Sequence, residues 1–341
     1  MISFYPASMG ASVRDALEDC ARRGVFPGGH YTARVEALLR DFGAECALLT
    51  PSCTASLQIA CRLAGIGPGD EVILPSYNFP AAANAVLLAG GTPVLCDIDP
   101  GTQNLSIADA EKRFTKRTRA VIAVHYAAVA CEMDALGALC DASGLTLIED
   151  AAQAVGATYH GRHLGTMGRF GCYSFHATKV FSSGEGGALL TGIEDSQRAV
   201  MYRDNGTNRE DFVRGGVSQY GWQSLGESGR MSELCAAALY PQLLDWEAVI
   251  LKRLAIHAAY DQALSAAARS GRIQTMLVPD ICRVNGHIYY VRLRDGEERR
   301  RAQNALAGEG IPALTHYVPL HLSPMGAQLG YRAEDLPESK K

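Results

Sequence analysis

The sequence has no run of about 18 uninterrupted apolar residues, the length a membrane-spanning helix needs, so no membrane span is expected. Met1 to Asp15 lacks a basic segment followed by an apolar run, which argues against a signal peptide. Positive charge is not in excess either. The formal net charge of -4 gives no electrostatic reason to expect nucleic acid as a partner, so any bound phosphate must be gripped by local geometry. Cysteine occurs ten times but never as CxxC, so zinc spacing and a redox motif are both missing. The cysteines lie mostly in apolar segments, as at Cys46, Cys61 and Cys140, and read as reduced, buried thiols of a cytoplasmic protein. No G-x-G-x-x-G follows the first strand, and neither G-x-x-x-x-G-K-[ST] nor G-x-S-x-G is present. Dinucleotide, P-loop and nucleophile-elbow chemistry are thereby set aside.

What is present suits a folded α/β protein. The chain is 48% hydrophobic and 20% charged, enough apolar material for a core. Its 341 residues exceed the size at which one core stops growing, so a large domain over 1–245 and a smaller one over 246–341 are expected. Val-, Ile- and Leu-rich runs at Cys46–Thr50, Glu71–Pro75, Pro93–Asp97, Ala120–His125 and Leu145–Asp150 read as buried strands. Helical patterns alternate with them at Thr54–Ala64, Ala81–Leu88, Ile107–Phe114 and Met133–Ala142, which implies a mainly parallel sheet with helices on both faces. Gly156–Gly165 reads as a hairpin, and Gly171–His176 and Gly187–Thr191 as two further strands. A long helical pattern from Ser232 to about Ser265 should kink at Pro241. In the second domain His287–Leu293 reads as a strand and Glu297–Ala307 as a helix, and the charged tail Arg332–Lys341 reads as frayed.

Four segments fall where an open parallel sheet places a ligand, beyond the carboxyl ends of its strands. Pro51-Ser52-Cys53-Thr54-Ala55 opens a helix directly after a strand, so its amides suit a phosphate, although a plain N-cap explains the hydroxyls equally well. Asp150 ends an apolar strand in Glu149-Asp150-Ala151-Ala152-Gln153. A buried carboxylate needs a partner there, either a protonated pyridine nitrogen or the amides of a following helix. Lys179 follows the strand Gly171–His176, 29 residues downstream of Asp150, where a desolvated amine could form an imine. Gly184-Glu185-Gly186-Gly187 permits close backbone approach or simply a turn. The order of these pieces along the chain fits pyridoxal phosphate (PLP) better than any other cofactor.

These residues closely resemble the DegT/DnrJ/StrS family of sugar-nucleotide aminotransferases. The shared segments are Gly67 to Ile73, Pro75 to Phe79, Glu149 to Gln153, Ser174 to Lys179 and Gly184 to Gly187. The resemblance implies a PLP-dependent transferase type I fold: a mainly parallel central sheet with helices on both faces, plus a smaller C-terminal α/β domain. It implies Lys179 as the Schiff-base lysine and proton shuttle, Asp150 on the pyridine nitrogen, Gln153 at the phenolic oxygen and Phe79 stacked on the ring. It further implies Cys53, Thr54 and Ser174 on the phosphate, and Arg230 reaching the phosphate of a neighbouring subunit in a homodimer with a shared active site. Thr50 to Leu57, His125-Tyr126 with Val129 to Asp134, Gly206 to Arg209 and His316 to His321 are most similar to members that aminate carbon 4 of dTDP-4-dehydro-6-deoxy-D-glucose with L-glutamate. On that likeness His316, Tyr317 and His321 are assigned to substrate binding.

The sequence also departs from the family. Val180 stands where relatives commonly have Asn, and Ala128 where they have Gly. Ser218 to Trp222 and Glu227 to Gly229 differ from the usual residues too, which leaves the identity of the sugar and of the aminated carbon open. The chain ends before relatives do, so the second domain is expected to be incomplete. Alternatives at this point are a catalytically impaired homologue that binds PLP or a sugar nucleotide, and PLP-dependent dehydration. Dehydrating members carry His where this chain has Lys179.

Overall fold

The computed structural model describes residues 10–26 and 28–341, so the first nine residues of the segment read for a signal peptide lie outside the described residues. Two helices, α1 (Ala11–Arg23) and α2 (His30–Arg40), precede the first strand. Then follow β1 (Cys46–Thr50), α3 (Cys53–Leu63), β2 (Glu71–Pro75), α4 (Ala81–Ala89), β3 (Thr92–Cys96) and α5 (Ile107–Lys112). Next come β4 (Thr118–Val124), α6 (Met133–Ser143), β5 (Thr146–Asp150), a hairpin of β6 (Thr158–Tyr159) and β7 (Arg162–His163), β8 (Phe170–Ser174) and β9 (Gly187–Thr191). The rest of the chain holds α7 (Ile193–Arg203), α8 (Arg209–Val213), α9 (Glu233–Leu244), α10 (Trp246–Arg269), β10 (Gln274–Thr275), β11 (Cys282–Arg283) and β12 (Val291–Arg292). It closes with α11 (Gly296–Gly308), α12 (Pro324–Gln328) and α13 (Pro337–Lys340).

Seven strands form one sheet in the order β1-β9-β8-β5-β4-β2-β3. The pairs from β8 through β5, β4 and β2 to β3 are parallel, while β9 runs antiparallel to both β1 and β8. Helices cover both faces, as the alternating pattern requires, and β2, β8 and β9 are buried along their whole length. All ten cysteines are free, seven of them buried. Among the described residues, no single helix is long and apolar enough to cross a membrane.

The N-terminal helices are pinned to the body by one buried carboxylate. Glu233, at the start of α9, accepts the amides of Gly29 (2.9 Å) and Thr32 (3.1 Å) and the Thr32 hydroxyl (2.6 Å). It thereby satisfies the orphan donors that open α2.

Three expectations need correction. The long helix does not kink at Pro241, which sits inside α9; the 69° bend falls at Asp245, between α9 and α10. The turn lays Trp246 against Phe42 and His163 (ring centroids 5.2 and 5.6 Å) and brings Ile250 under Gly156, so tertiary packing decides where the axis breaks. The expected strand His287–Leu293 shrinks to Val291–Arg292. Around its start the Asn285 and Arg253 side chains bind backbone groups that a ladder would otherwise use.

Nor is the tail frayed. Leu336 is fully buried, and Asp97, just after β3, accepts bonds from the Glu338 amide (2.9 Å), the Ser339 amide (2.6 Å) and the Ser339 hydroxyl (2.6 Å). Burial alone would push the Asp97 carboxyl up, but the Ser339, Glu338 and Ile98 bonds outweigh it and hold it below the ordinary carboxylate range. A depressed folded pKa contributes stability that is present above the unfolded value and is lost as pH falls through the folded one. Asp97→Asn should therefore cost about 1–3 kcal/mol near neutral pH. The gap between mutant and wild type should close below pH ~3.8. Denaturant melts across pH check this, and a gap that does not depend on pH would refute it.

Candidate active site

The sheet register gathers the site. Because β9 is antiparallel, its first residue, Gly187, lies level with the last residues of β1 and β8, giving the row Thr50, Gly187, Ser174 at the carboxyl edge. Asp150 ends β5 between Val124 of β4 and Cys172 of β8. Gly187 has to be glycine: an added Cβ would run into the Cys53 amide nitrogen and the Ser52 carbonyl. Ser52 caps α3 by accepting the Ala55 amide at 3.1 Å, so the ordinary capping reading holds for that hydroxyl. Even so, the Cys53 and Thr54 amides have no partner among the described residues. A cradle closed by glycine in front of free helix N–H groups suits a phosphate.

Asp150 is buried. Its Oδ1 accepts the Ala152 amide at 3.1 Å and lies 4.0 Å from the Cys53 thiol, while Oδ2 meets no donor among the described residues. The capping and partner readings are thus both served, one by each oxygen. Burial raises the Asp150 carboxyl above its ordinary range, against the pull of the Ala152 amide and the charge of Lys179. Lys179 occupies the turn after β8, its amide on the His176 carbonyl at 2.9 Å. Burial lowers its amine, opposed by Cys53 and Asp150, so these three groups share one electrostatic neighbourhood. Such a low-dielectric site leaves a carboxylate ready for a cation and an amine ready to act as a nucleophile.

Gln153 has a fixed orientation. Its Oε1 accepts the Ala127 amide at 2.7 Å, which leaves Nε2 as the outward donor, 3.1 Å from the Tyr317 hydroxyl. The backbone presenting that amide is left-handed at Ala127 and Ala128 (φ 54° and 65°), the region that favours glycine. An alanine there costs about 1–2 kcal/mol. Tyr317 stacks on His316 (4.6 Å, 16°), lies 6.2 Å from Phe79, and faces Tyr77 and Tyr126 edge-on. Phe79 is 59% exposed, an apolar ring left open beside this cluster. Burial, then the charge of Lys179, lowers His316.

Two assigned residues stand apart from this group. His321 is buried against Ser76, with Nδ1 2.7 Å from the hydroxyl and its own amide on the same oxygen, so it fastens the chain there. Arg230 makes a two-pronged pair with Asp204 (3.1 Å each) and lies 3.9 Å from Glu210 within this chain. Sequence reasoning passed over His287 and Asn285. Asn285 Nδ2 binds the carbonyls of Gln153 (2.9 Å) and Val155 (3.0 Å) from 132 and 130 residues away, a link that no local motif signals. Beneath the site His125 accepts the Cys131 amide through Nδ1, so its ring proton sits on Nε2 and goes to Glu149 at 2.9 Å. Glu149 also accepts the amides of Gly165, Met167 and Gly168, bracing the strand that carries Asp150.

Comparison with known proteins gives this geometry its context. The chain is 35% identical to the spore coat polysaccharide biosynthesis protein SpsC of Bacillus subtilis over 306 residues, covering 87% of this chain and 78% of SpsC. It is 33% identical to the GDP-perosamine synthase of Caulobacter vibrioides over 336 residues, covering 96% of this chain and 87% of the synthase. Its fold matches the PLP form of Spr1654 from Streptococcus pneumoniae, assigned as a sugar aminotransferase. There the TM-score is 0.91 at 25% identity, covering 99% of this chain and 90% of that one. Residues 7–341 match the DegT/DnrJ/EryC1/StrS aminotransferase family; the chain belongs to it, and is a PLP-dependent aminotransferase of the type I fold.

Proposed function

We propose that this enzyme transfers the amino group of L-glutamate to carbon 4 of dTDP-4-dehydro-6-deoxy-D-glucose. The products would be dTDP-4-amino-4,6-dideoxy-D-galactose and 2-oxoglutarate. The observation that supports it most is the convergence of Lys179, Asp150 and Gln153 at the sheet edge, beside the Tyr77, Tyr126, His316 and Tyr317 wall. Bound there, PLP supplies a protonated ring that acts as an electron sink. Oδ2 of Asp150 would hold the proton on the ring nitrogen, Nε2 of Gln153 would meet the phenolic oxygen, and Phe79 would cover the ring. Cys53, Thr54 and Ser174 would hold the phosphate. The Lys179 amine would attach the cofactor and, once released, would carry a proton to and from the substrate carbon that bears nitrogen. Tyr317 and His316 line the side the sugar enters and keep water away.

The same reading makes the protein a cytoplasmic homodimer serving surface polysaccharide synthesis. Phe212, Val213, Tyr220, Trp222 and Leu225 form exposed apolar surface, Trp222 at 80%, which supports burial against a second copy. Arg230 adjoins this segment through Asp204, whose backbone pairs with Ser228, and would exchange that partner for the neighbouring subunit's phosphate. The domains divide at residue 245, where α9 gives way to α10. Incubation with PLP, L-glutamate and a panel of dTDP- and GDP-linked keto sugars tests the reaction. 2-Oxoglutarate and a 4-amino galacto sugar are expected from the dTDP substrate. Amination at carbon 3, preference for a GDP sugar, or cofactor binding without turnover would overturn it.

A further inference from the structure

His287 is 8% exposed, yet its Nδ1 has no hydrogen-bond partner among the described residues. Its backbone is fixed from both sides. The His287 amide donates to Asn285 Oδ1 (2.9 Å), while Arg253 donates to the carbonyls of Gly286 (2.8 Å) and His287 (3.1 Å). Asn285 is itself clamped to the carbonyls of Gln153 and Val155, so the imidazole is tied to the segment that carries a cofactor-facing residue. Every one of these bonds acts on backbone or on Asn285, and none uses the imidazole. Buried polar atoms are as a rule satisfied, so a rigidly held ring with an open nitrogen calls for a ligand. Burial and the nearby charge of Lys179 hold His287 well below its ordinary range, leaving it neutral.

A neutral imidazole offers one donor and one acceptor. That matches a hydroxyl, which also gives and takes, whereas the carboxylates of an amino-acid donor call for a cation. We propose that His287 is a specificity residue for the keto sugar, bonding the hydroxyl on the carbon next to the reacting carbonyl through the nitrogen that the protein leaves unpaired. The assignment rests on the keto-sugar reading above.

The test compares dTDP-4-dehydro-6-deoxyglucose with its 3-deoxy counterpart in the wild type and in His287→Phe. Wild-type kcat/KM should fall about tenfold on the 3-deoxy sugar, because a site built to bond a hydroxyl rejects the analogue lacking it. His287→Phe should lose a similar factor on the full sugar and nothing further on the 3-deoxy sugar, the signature of one shared contact. The half-reaction with glutamate, followed by the cofactor's absorbance, should stay unchanged. Calorimetric affinity for the amino-sugar product should weaken in parallel with kcat/KM. His287→Gln, which keeps a donor and an acceptor, should recover part of the discrimination. A wild type that aminates both sugars equally, or a variant slowed as much with glutamate as with sugar, overturns the assignment and leaves the enzyme's function standing. A wild type that aminates neither overturns both. The wild-type comparison needs no variant, so a misfolded His287→Phe protein does not remove the deciding arm.

Discussion

Lys179→Ala is expected to lower turnover by more than about 10^4-fold and to remove the visible absorbance of covalently held cofactor. The amine sits at the turn after β8, and burial lowers its pKa against the opposing pull of Cys53 and Asp150. A lysine with an ordinary pKa is almost wholly charged at neutral pH and a poor nucleophile. Desolvation shifts the balance toward the free base that imine chemistry needs. The free-base fraction shrinks as pH drops through that lowered value, so attachment of added cofactor should slow on the acid side. Lys179→Arg should be as inactive as the alanine variant, because a guanidinium keeps the charge but never loses its proton. Added small primary amines should restore part of the proton transfer to Lys179→Ala while leaving the covalent link absent. An alanine variant that keeps both the absorbance band and near-normal turnover would remove Lys179 from the chemistry.

The parts of this fold legible in the sequence are those in which local pattern and tertiary environment agree. Glu71–Pro75 and Gly187–Thr191 run as read because every residue in them is buried, so a continuous apolar run admits only a strand covered on both faces. That Asp150 and Lys179 fall at one edge of the sheet was legible because each lies at or just beyond a strand's carboxyl end, and chain order carries that placement. The direction of β9 was not. Its antiparallel course is set by its neighbours, and it is what levels Gly187 with Ser174. Asn285 was invisible for a related reason: its bond reaches back 132 residues to Gln153. The bend at Asp245 follows from packing of Trp246 and Ile250, which outweighed the local argument from Pro241. Charge in the tail suggested fraying, and Asp97, more than 200 residues upstream, supplies the anchor.

Asp150→Asn should slow both half-reactions by an amount worth one to a few kcal/mol, roughly ten- to several-hundredfold, while cofactor affinity changes far less. The two oxygens of Asp150 account for the split. Oδ1 accepts the Ala152 amide, a bond that an asparagine carbonyl oxygen reproduces, so the turn into Gln153 should survive the change. Oδ2 is the oxygen without a donor among the described residues, and it is the one available to a protonated ring nitrogen. Burial alone raises the carboxyl, because an unpaired charge at that depth is costly, and a cation at Oδ2 repays the cost by holding the carboxylate ionised. Asparagine would present a neutral NH2 group there, which would favour an unprotonated ring nitrogen and so weaken the electron sink that the cofactor would supply. The phosphate grip proposed for Cys53, Thr54 and Ser174 lies apart from this change and should be left intact. Stopped-flow traces with glutamate, and in reverse with the amino sugar, give the two rates; equilibrium titration with PLP gives the affinity. Half-reaction rates equal to wild type would reduce Asp150 to a cap for the turn that follows β5.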